Sequence, residues 1–154
     1  MLRISYLWNE RIADSRFHYA VMVARQGPQW IFVRQAARQT FELPAGRREP
    51  GESILQTARR ELYEETGATC YKLAALCPFM VFDDNMPVVG ETPCGMLYLA
   101  EIQKRAALPQ GSEIAETVLL DQLPANLSYP EVQPRLFRLA TLLFPVRIRL
   151  TDHS

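Results

Sequence analysis

Residues 46–68, GRREPGESILQTARRELYEETGA, constrain this chain more than any other stretch. Ser53 followed three residues later by Gln56 has the form of a capping box. In that arrangement the two side chains satisfy backbone N–H groups that a helix start leaves unpaired. Gly67 suits the other end, because glycine enters the left-handed conformation without a Cβ clash. About thirteen helical residues lie between them, an ordinary length. At ~100° per residue, Leu55, Ala58 and Leu62 fall on one stripe that can face a core. Glu61, Glu64 and Glu65 are related by i+3 and i+4, so they share an adjoining face.

That acidic face is costly for a helix. Like charges at these spacings repel by roughly 0.2–0.5 kcal/mol per pair. They also stand toward the C-terminal end, where the macrodipole disfavours negative charge. A helix serving packing alone would gain from lysine there. A bound cation explains the arrangement, and clustered carboxylate oxygens suit hard divalent ions, Mg²⁺ first and Mn²⁺ second. The competing reading is a solvated face whose glutamates serve helix propensity.

Written with its spacing, the stretch is Gly46, five residues, Glu52, seven residues, then Arg60-Glu61-Leu62-x-Glu64-Glu65-x-Gly67-Ala68. It resembles the Nudix box of the Nudix hydrolases at every fixed position. Ala68 stands where a larger aliphatic is commoner. The resemblance covers 23 residues directly. It implies an α/β class, the Nudix fold, with an α/β/α sandwich around a curved mixed β-sheet, and a single domain over 1–154. It implies Glu61, Glu64 and Glu65 as metal ligands, with the Gly46 carbonyl adding another. Glu52 and Arg60 would pair across the loop and hold the helix, Glu52 being structural with a metal contact open to it. Gly46 and Gly51 would allow the loop its turns and a close approach to phosphate, and Gly67 would end the helix. Glu64, Glu65 and Arg60 are the catalytic candidates within the box. Glu113, in QGSEIAE, occupies the place of a functional acid in many members, with Glu116 as the fallback. The competing reading of Glu113 is an exposed loop acid.

Nudix hydrolases cleave a diphosphate joined to a group X, usually a nucleoside. The residues suit that chemistry. A pyrophosphate brings several negative charges to an acidic site, which works only through metal bridges. The metal polarises phosphoryl oxygens, and a glutamate orients or deprotonates the attacking water. LPAG followed by REPGE resembles the ADP-ribose and sugar-nucleotide branch, but Asp83 stands where that branch usually has a proline. A diadenosine branch would want a tyrosine between Tyr71 and Tyr98, and there is none. Arg34 in IFVR, Asn126 in LPANLSYP and the order YLAEIQK, acidic loop, TVLLDQLPANL resemble the MutT/YtkD-type nucleoside triphosphate pyrophosphohydrolases. That resemblance implies Arg34 as a nucleotide contact and Asn126 as a reader of the purine edge. Phe79 or Phe82 would stack on the base. Each also has a plainer reading, as surface strand residue, turn residue or core aromatic.

The expected activity is Mg²⁺-dependent hydrolysis of a purine nucleoside triphosphate, such as 8-oxo-dGTP, to monophosphate and pyrophosphate. The alternatives are a nucleoside diphosphate-X hydrolase with ADP-ribose as the test case, and a Nudix domain that senses a nucleotide without turnover. The 17 basic and 17 acidic residues balance, so no global field gathers nucleic acid or an anionic membrane. The expected partner is a small nucleotide, with a homodimer left open.

Elsewhere the patterns are simpler. FHYAVMVAR (17–25), WIFVRQ (30–35), TFELP (40–44), ATCYKLAALC (68–77), CGMLYLAEI (94–102) and TVLLD (117–121) read as strands. EVQPRLFRLATLLF (131–144) reads as a helix ended by Pro145. The tail VRIRLTDHS is either a last strand or a loose basic end. Cys70, Cys77 and Cys94 have no metal or disulfide spacing. Cys70 and Cys94 read as small core residues, in a cytoplasmic protein. No run is long enough to serve as a signal peptide or to span a bilayer.

Overall fold

The computed structural model describes residues 1–87 and 90–151, with side chains to Pro145. Its strands are β1 (Leu2–Tyr6), β2 (Phe17–Gln26), β3 (Gln29–Gln35), β4 (Ala45–Arg47), β5 (Ala68–Asp83), β6 (Cys94–Arg105) and β7 (Ile114–Leu120). The helices are α1 (Ile54–Thr66) and α2 (Gln133–Thr151). The strands form one mixed sheet of order β1-β5-β6-β2-β3-β7, with β4 on β2. β2 and β6 are parallel, and the other pairs are antiparallel.

Alternation along the strands explains the layers. On β2, Ala20, Met22 and Ala24 pack in the cluster that contains Ile54, Ala58 and Leu62 of α1. Val21 and Val23 pack with Leu136, Phe137, Ala140 and Phe144 of α2. The two helices therefore cover opposite faces of a sheet buried on both sides. Truncating a fully buried leucine such as Leu62 costs roughly 2–5 kcal/mol, through lost burial and the cavity left.

Several sequence expectations are corrected. The core stripe of α1 begins at Ile54, not Leu55, which is 40% exposed. Ile54, Ala58 and Leu62 are spaced i, i+4, i+8, so the buried face is turned by one residue. TFELP makes only isolated bridges, Val33 to Glu42 and Phe41 to Leu127. The strand starts after Pro44, because the proline lacks an N–H to donate. β5 runs on through Pro78 to Asp83, with an irregularity between Ala75 and Cys77 that absorbs the proline. The amphipathic LRISY, not anticipated as a strand, pairs with that extension as β1. α2 continues through Pro145 to Thr151 and so takes in most of the expected tail; 152–154 lie outside the described residues. Cys94 is buried as expected, but Cys70 is exposed, with its Sγ 2.9 Å from Gln103 Oε1. None of the three cysteines forms a disulfide. Among the described residues no helix is long and apolar enough to cross a membrane.

Candidate functional site

The start and stop of α1 are built as the sequence prescribes. Gln56 N donates to Ser53 Oγ at 3.1 Å, and Ser53 N donates to Gln56 Oε1 at 2.8 Å. Asp14 adds an acceptor for Ile54 N at 3.0 Å. Gly67 ends the helix at φ 76°. The helix is thereby fixed in length, which sets where its glutamates stand.

β4 runs past the acidic face of α1. Ala45 N donates to Glu65 Oε1 at 2.8 Å. A Cβ on Gly46 would collide with the carboxylate of Glu61. Glycine leaves here the room that the Glu61 carboxylate occupies. The loop between them is held by Arg60. Its Nε and Nη2 donate to Glu52 at 2.6 and 3.0 Å, and Nη2 also reaches the Arg47 carbonyl at 2.9 Å. Its Nη1 donates to Glu61 at 2.7 Å and to Glu64 at 3.2 Å. Glu52 further accepts from Thr57 Oγ1 at 3.0 Å and Glu49 N at 2.9 Å.

These contacts separate the acids electrostatically. The Arg60 guanidinium, with the other donors, holds the Glu52 carboxyl down at about 2. Burial pushes Glu65 up to about 8, helped by the negative charges of Glu61, Glu42 and Glu113 and opposed by the Ala45 N–H. Burial also raises Glu61, against the pull of Arg60. The hydrogen bond to Glu52 raises Arg60 further, so it stays charged.

A cleft of about 410 Å³ opens over this face. Glu61, Glu64 and Glu65 line one wall, and the 109–113 loop with Glu113 lines the other. Ser112 Oγ donates to the Glu64 carbonyl at 2.8 Å and ties that loop to the helix. Glu116 points elsewhere, paired with Arg34 at 3.2 Å. Among the described residues no three acid, histidine or cysteine side chains converge into a formed metal cage. Glu61 and Glu64 accept from Arg60, and Glu65 accepts from the Ala45 N–H. The donor set nonetheless fits a hard divalent ion. It gathers oxygen ligands only, and its three glutamates outnumber the one arginine, which pairs with Glu61 and Glu64.

On the other side of β4 lies a second pocket of about 450 Å³. Ala45, Gly46 and Arg47 border it, Tyr19, Val21 and Leu136 give it apolar walls, and Glu42, Gln35 and Gln133 give it polar ones. Phe79 forms its floor but is fully buried, with its ring edge-on to Tyr19 at 5.6 Å. Tyr19 and Tyr129 are the lining rings that keep exposed surface. Phe82 lies apart, on the β1 side of the sheet, with Arg3 over its ring at 5.8 Å. Arg34 and Asn126 line neither the cleft nor this pocket. Asn126 Nδ2 donates to the Gln39 carbonyl at 3.2 Å, as a turn residue would. Sequence reasoning did not single out Tyr19, Glu42, Arg47 or Gln133. Glu42 and Arg47 flank the LPAG segment, and that adjacency was the signal available.

The NUDIX domain family profile matches residues 16–139. The putative 8-oxo-dGTP diphosphatase YtkD of Bacillus subtilis (strain 168) is 32% identical over 120 residues, 78% of this chain and 72% of that protein. Among solved structures, a variant of the Bacillus subtilis pyrophosphohydrolase BsRppH covers 98% of this chain and 90% of its own, at 22% identity and TM-score 0.65. The NUDIX domain of Shewanella oneidensis NrtR, complexed with ADP ribose, covers 83% and 88% at 18% identity and TM-score 0.62. A mixed sheet between two helices, with an acidic helix face set against a glycine strand, defines a protein of the α/β class with the fold of these solved structures. The chain belongs to the Nudix family, and it is a Nudix hydrolase.

Proposed function

We propose that this enzyme hydrolyses a purine nucleoside triphosphate, of the GTP or 8-oxo-dGTP kind, to monophosphate and pyrophosphate. The carrying observation is that β4 joins the two sites. Ala45, Gly46 and Arg47 border the mainly apolar pocket, and Ala45 and Gly46 lie against Glu65 and Glu61, which line the acidic cleft. A ligand with a flat base and a polyphosphate tail suits that pair of sites. The similarity to a protein named as a putative 8-oxo-dGTP diphosphatase supports this choice of substrate.

Mg²⁺, or Mn²⁺ in its place, would be held by the Gly46 carbonyl, Glu61, Glu64 and Glu65, and when bound would neutralise phosphate charge and polarise phosphoryl oxygens. The chain's own residues do the rest. Glu113 faces the helix across the cleft and accepts a proton from the attacking water, whose oxygen bonds to one phosphorus of the α–β bridge as the bridging oxygen leaves with the other, giving monophosphate and pyrophosphate. Arg60 positions Glu61 and Glu64. Arg47, exposed at the border of the pocket, meets phosphate charge. Tyr19 provides a stacking wall for the base.

The test is a panel of dNTPs, 8-oxo-dGTP, ADP-ribose and a dinucleoside polyphosphate, incubated with Mg²⁺ and resolved by chromatography. Monophosphate plus pyrophosphate from a purine triphosphate is the expected result. Turnover of ADP-ribose alone would move the enzyme to the sugar-nucleotide branch. No turnover of any member would overturn the reading in favour of a nucleotide sensor.

A further inference from the structure

The pocket behind β4 contains a feature that a purely apolar base site would not need. Glu42 is 6% exposed and lines the pocket. A carboxylate that deep is costly to keep unless its oxygens have work to do. One oxygen accepts from Gln35 Nε2 at 2.7 Å, and the other accepts from Arg38 Nη1 at 3.1 Å. Each oxygen keeps acceptor capacity for a ligand, since an ionised carboxylate offers about four lone-pair sites. Arg38 is itself held by Tyr129, whose hydroxyl lies 3.2 Å from Nη1 and whose ring lies 5.3 Å below the guanidinium.

Gln133, 5% exposed, lines the same pocket from the start of α2. Its Oε1 accepts from Leu43 N at 2.8 Å. That bond settles which end of the amide is oxygen, because a backbone N–H must meet an acceptor. The NH₂ end is left as a donor, with no hydrogen-bond acceptor for it among the described residues. The pocket thus carries a carboxylate acceptor pair and an amide donor.

We propose that Glu42 and Gln133 read a guanine-type edge. This rests on the nucleotide reading above and deepens it. Guanine offers two adjacent donors, N1–H and the 2-amino group, beside one acceptor, O6. The two donors match the carboxylate, and O6 matches the Gln133 NH₂. Hypoxanthine lacks the 2-amino group and loses one bond. Adenine offers a lone pair at N1, which a carboxylate repels. An 8-oxo group leaves this edge unchanged, so the pocket selects the base and not its oxidation.

The experiment measures binding of dGMP, dIMP and dAMP by calorimetry, to the wild-type protein and to Glu42→Gln, alongside turnover of dGTP, dITP and dATP. Monophosphates need no chemistry to bind, so base selection is read even where turnover fails. The wild type is expected to hold dGMP ~10-fold or more tighter than dIMP, as befits one hydrogen bond to a charged group. In Glu42→Gln that gap should close while the melting temperature stays near wild type. Equal wild-type affinities for the three monophosphates, or no measurable binding, would overturn the assignment without any variant. A Glu42→Gln protein that keeps the dGMP preference would also overturn it. Guanine-selective binding with no triphosphate turnover would leave the pocket assignment standing and sink only the hydrolytic reading.

Discussion

Arg60→Met removes the one cation that organises the box, and the loss can be worked from its contacts. The arginine makes two bonds to Glu52, one each to Glu61 and Glu64, and one to the Arg47 carbonyl. Breaking a buried ion pair by removing one partner costs roughly 3–5 kcal/mol. Here the arginine side chain is 22% exposed and that of Glu52 16%, so solvent screens part of the loss. About 3 kcal/mol is the expected destabilisation after that discount. For a domain of this size ~2–4 °C accompanies each kcal/mol, so the melting temperature should fall by roughly 6–12 °C. The assay is thermal unfolding followed by circular dichroism in EDTA. Most of the loss comes from the orphaned Glu52 charge, so adding Glu52→Gln to Arg60→Met should recover part of the drop. Mg²⁺ should recover a further part by neutralising Glu61 and Glu64. A single variant melting within ~2 °C of wild type, or a double variant less stable than the single, would refute the reasoning.

Gly46→Ala places a methyl against the Glu61 carboxylate and should cost ~1–3 kcal/mol, with a loss of Mg²⁺-dependent turnover larger than that stability change predicts. Titrating Mg²⁺ against turnover checks it; an unchanged metal requirement would contradict the close approach of β4 to α1. The metal-free protein should also respond to pH in two windows. Glu65 is raised to about 8, so its contribution is complete below the ordinary carboxylate range and is lost as pH rises toward 8. Glu52 is lowered to about 2, so its contribution is present above the ordinary range and is lost as pH falls toward 2. Melting in EDTA should therefore peak near pH 5, and Mg²⁺ should flatten the alkaline fall; melting that rises steadily from pH 5 to 8 would count against the buried state of Glu65. Glu64→Gln, Glu65→Gln and Glu113→Gln should each keep the fold and lower kcat at least ~100-fold, whereas Glu116→Gln, outside the cleft, should stay within about threefold. Similar rates for Glu113→Gln and Glu116→Gln would remove the base assignment.

How much of this was legible in the chain follows the range of the interactions. The capping box, the glycine stop and the i, i+3, i+4 set of acids are local, so their spacing was enough to place α1 and its acidic face. Two helices and most strands followed from periodicity for the same reason. The errors arose where a partner decided. LRISY became β1 only because β5 runs past Pro78 and offers an edge. Leu55 lost its core place to Ile54 because the orientation of a helix is set by the sheet beneath it, not by its own pattern. α2 passed through Pro145, beyond the stop the proline signalled.

The candidate site divides in the same way. The sequence by itself determined the box: which acids share a face, which arginine stands to pair with Glu52, and where the helix starts and stops. Tertiary structure alone decided what faces that box. Glu113 and Glu116 are three residues apart in the chain, yet the register of β7 on β3 sends Glu116 to Arg34, and the loop before it brings Glu113 to the cleft. Glu42 and Gln133 are distant in sequence and meet in one pocket because α2 packs across β2 beside β4. Spacing within one helix is fixed by its geometry, whereas a pocket is made by side chains whose distances are set only when separate elements pack.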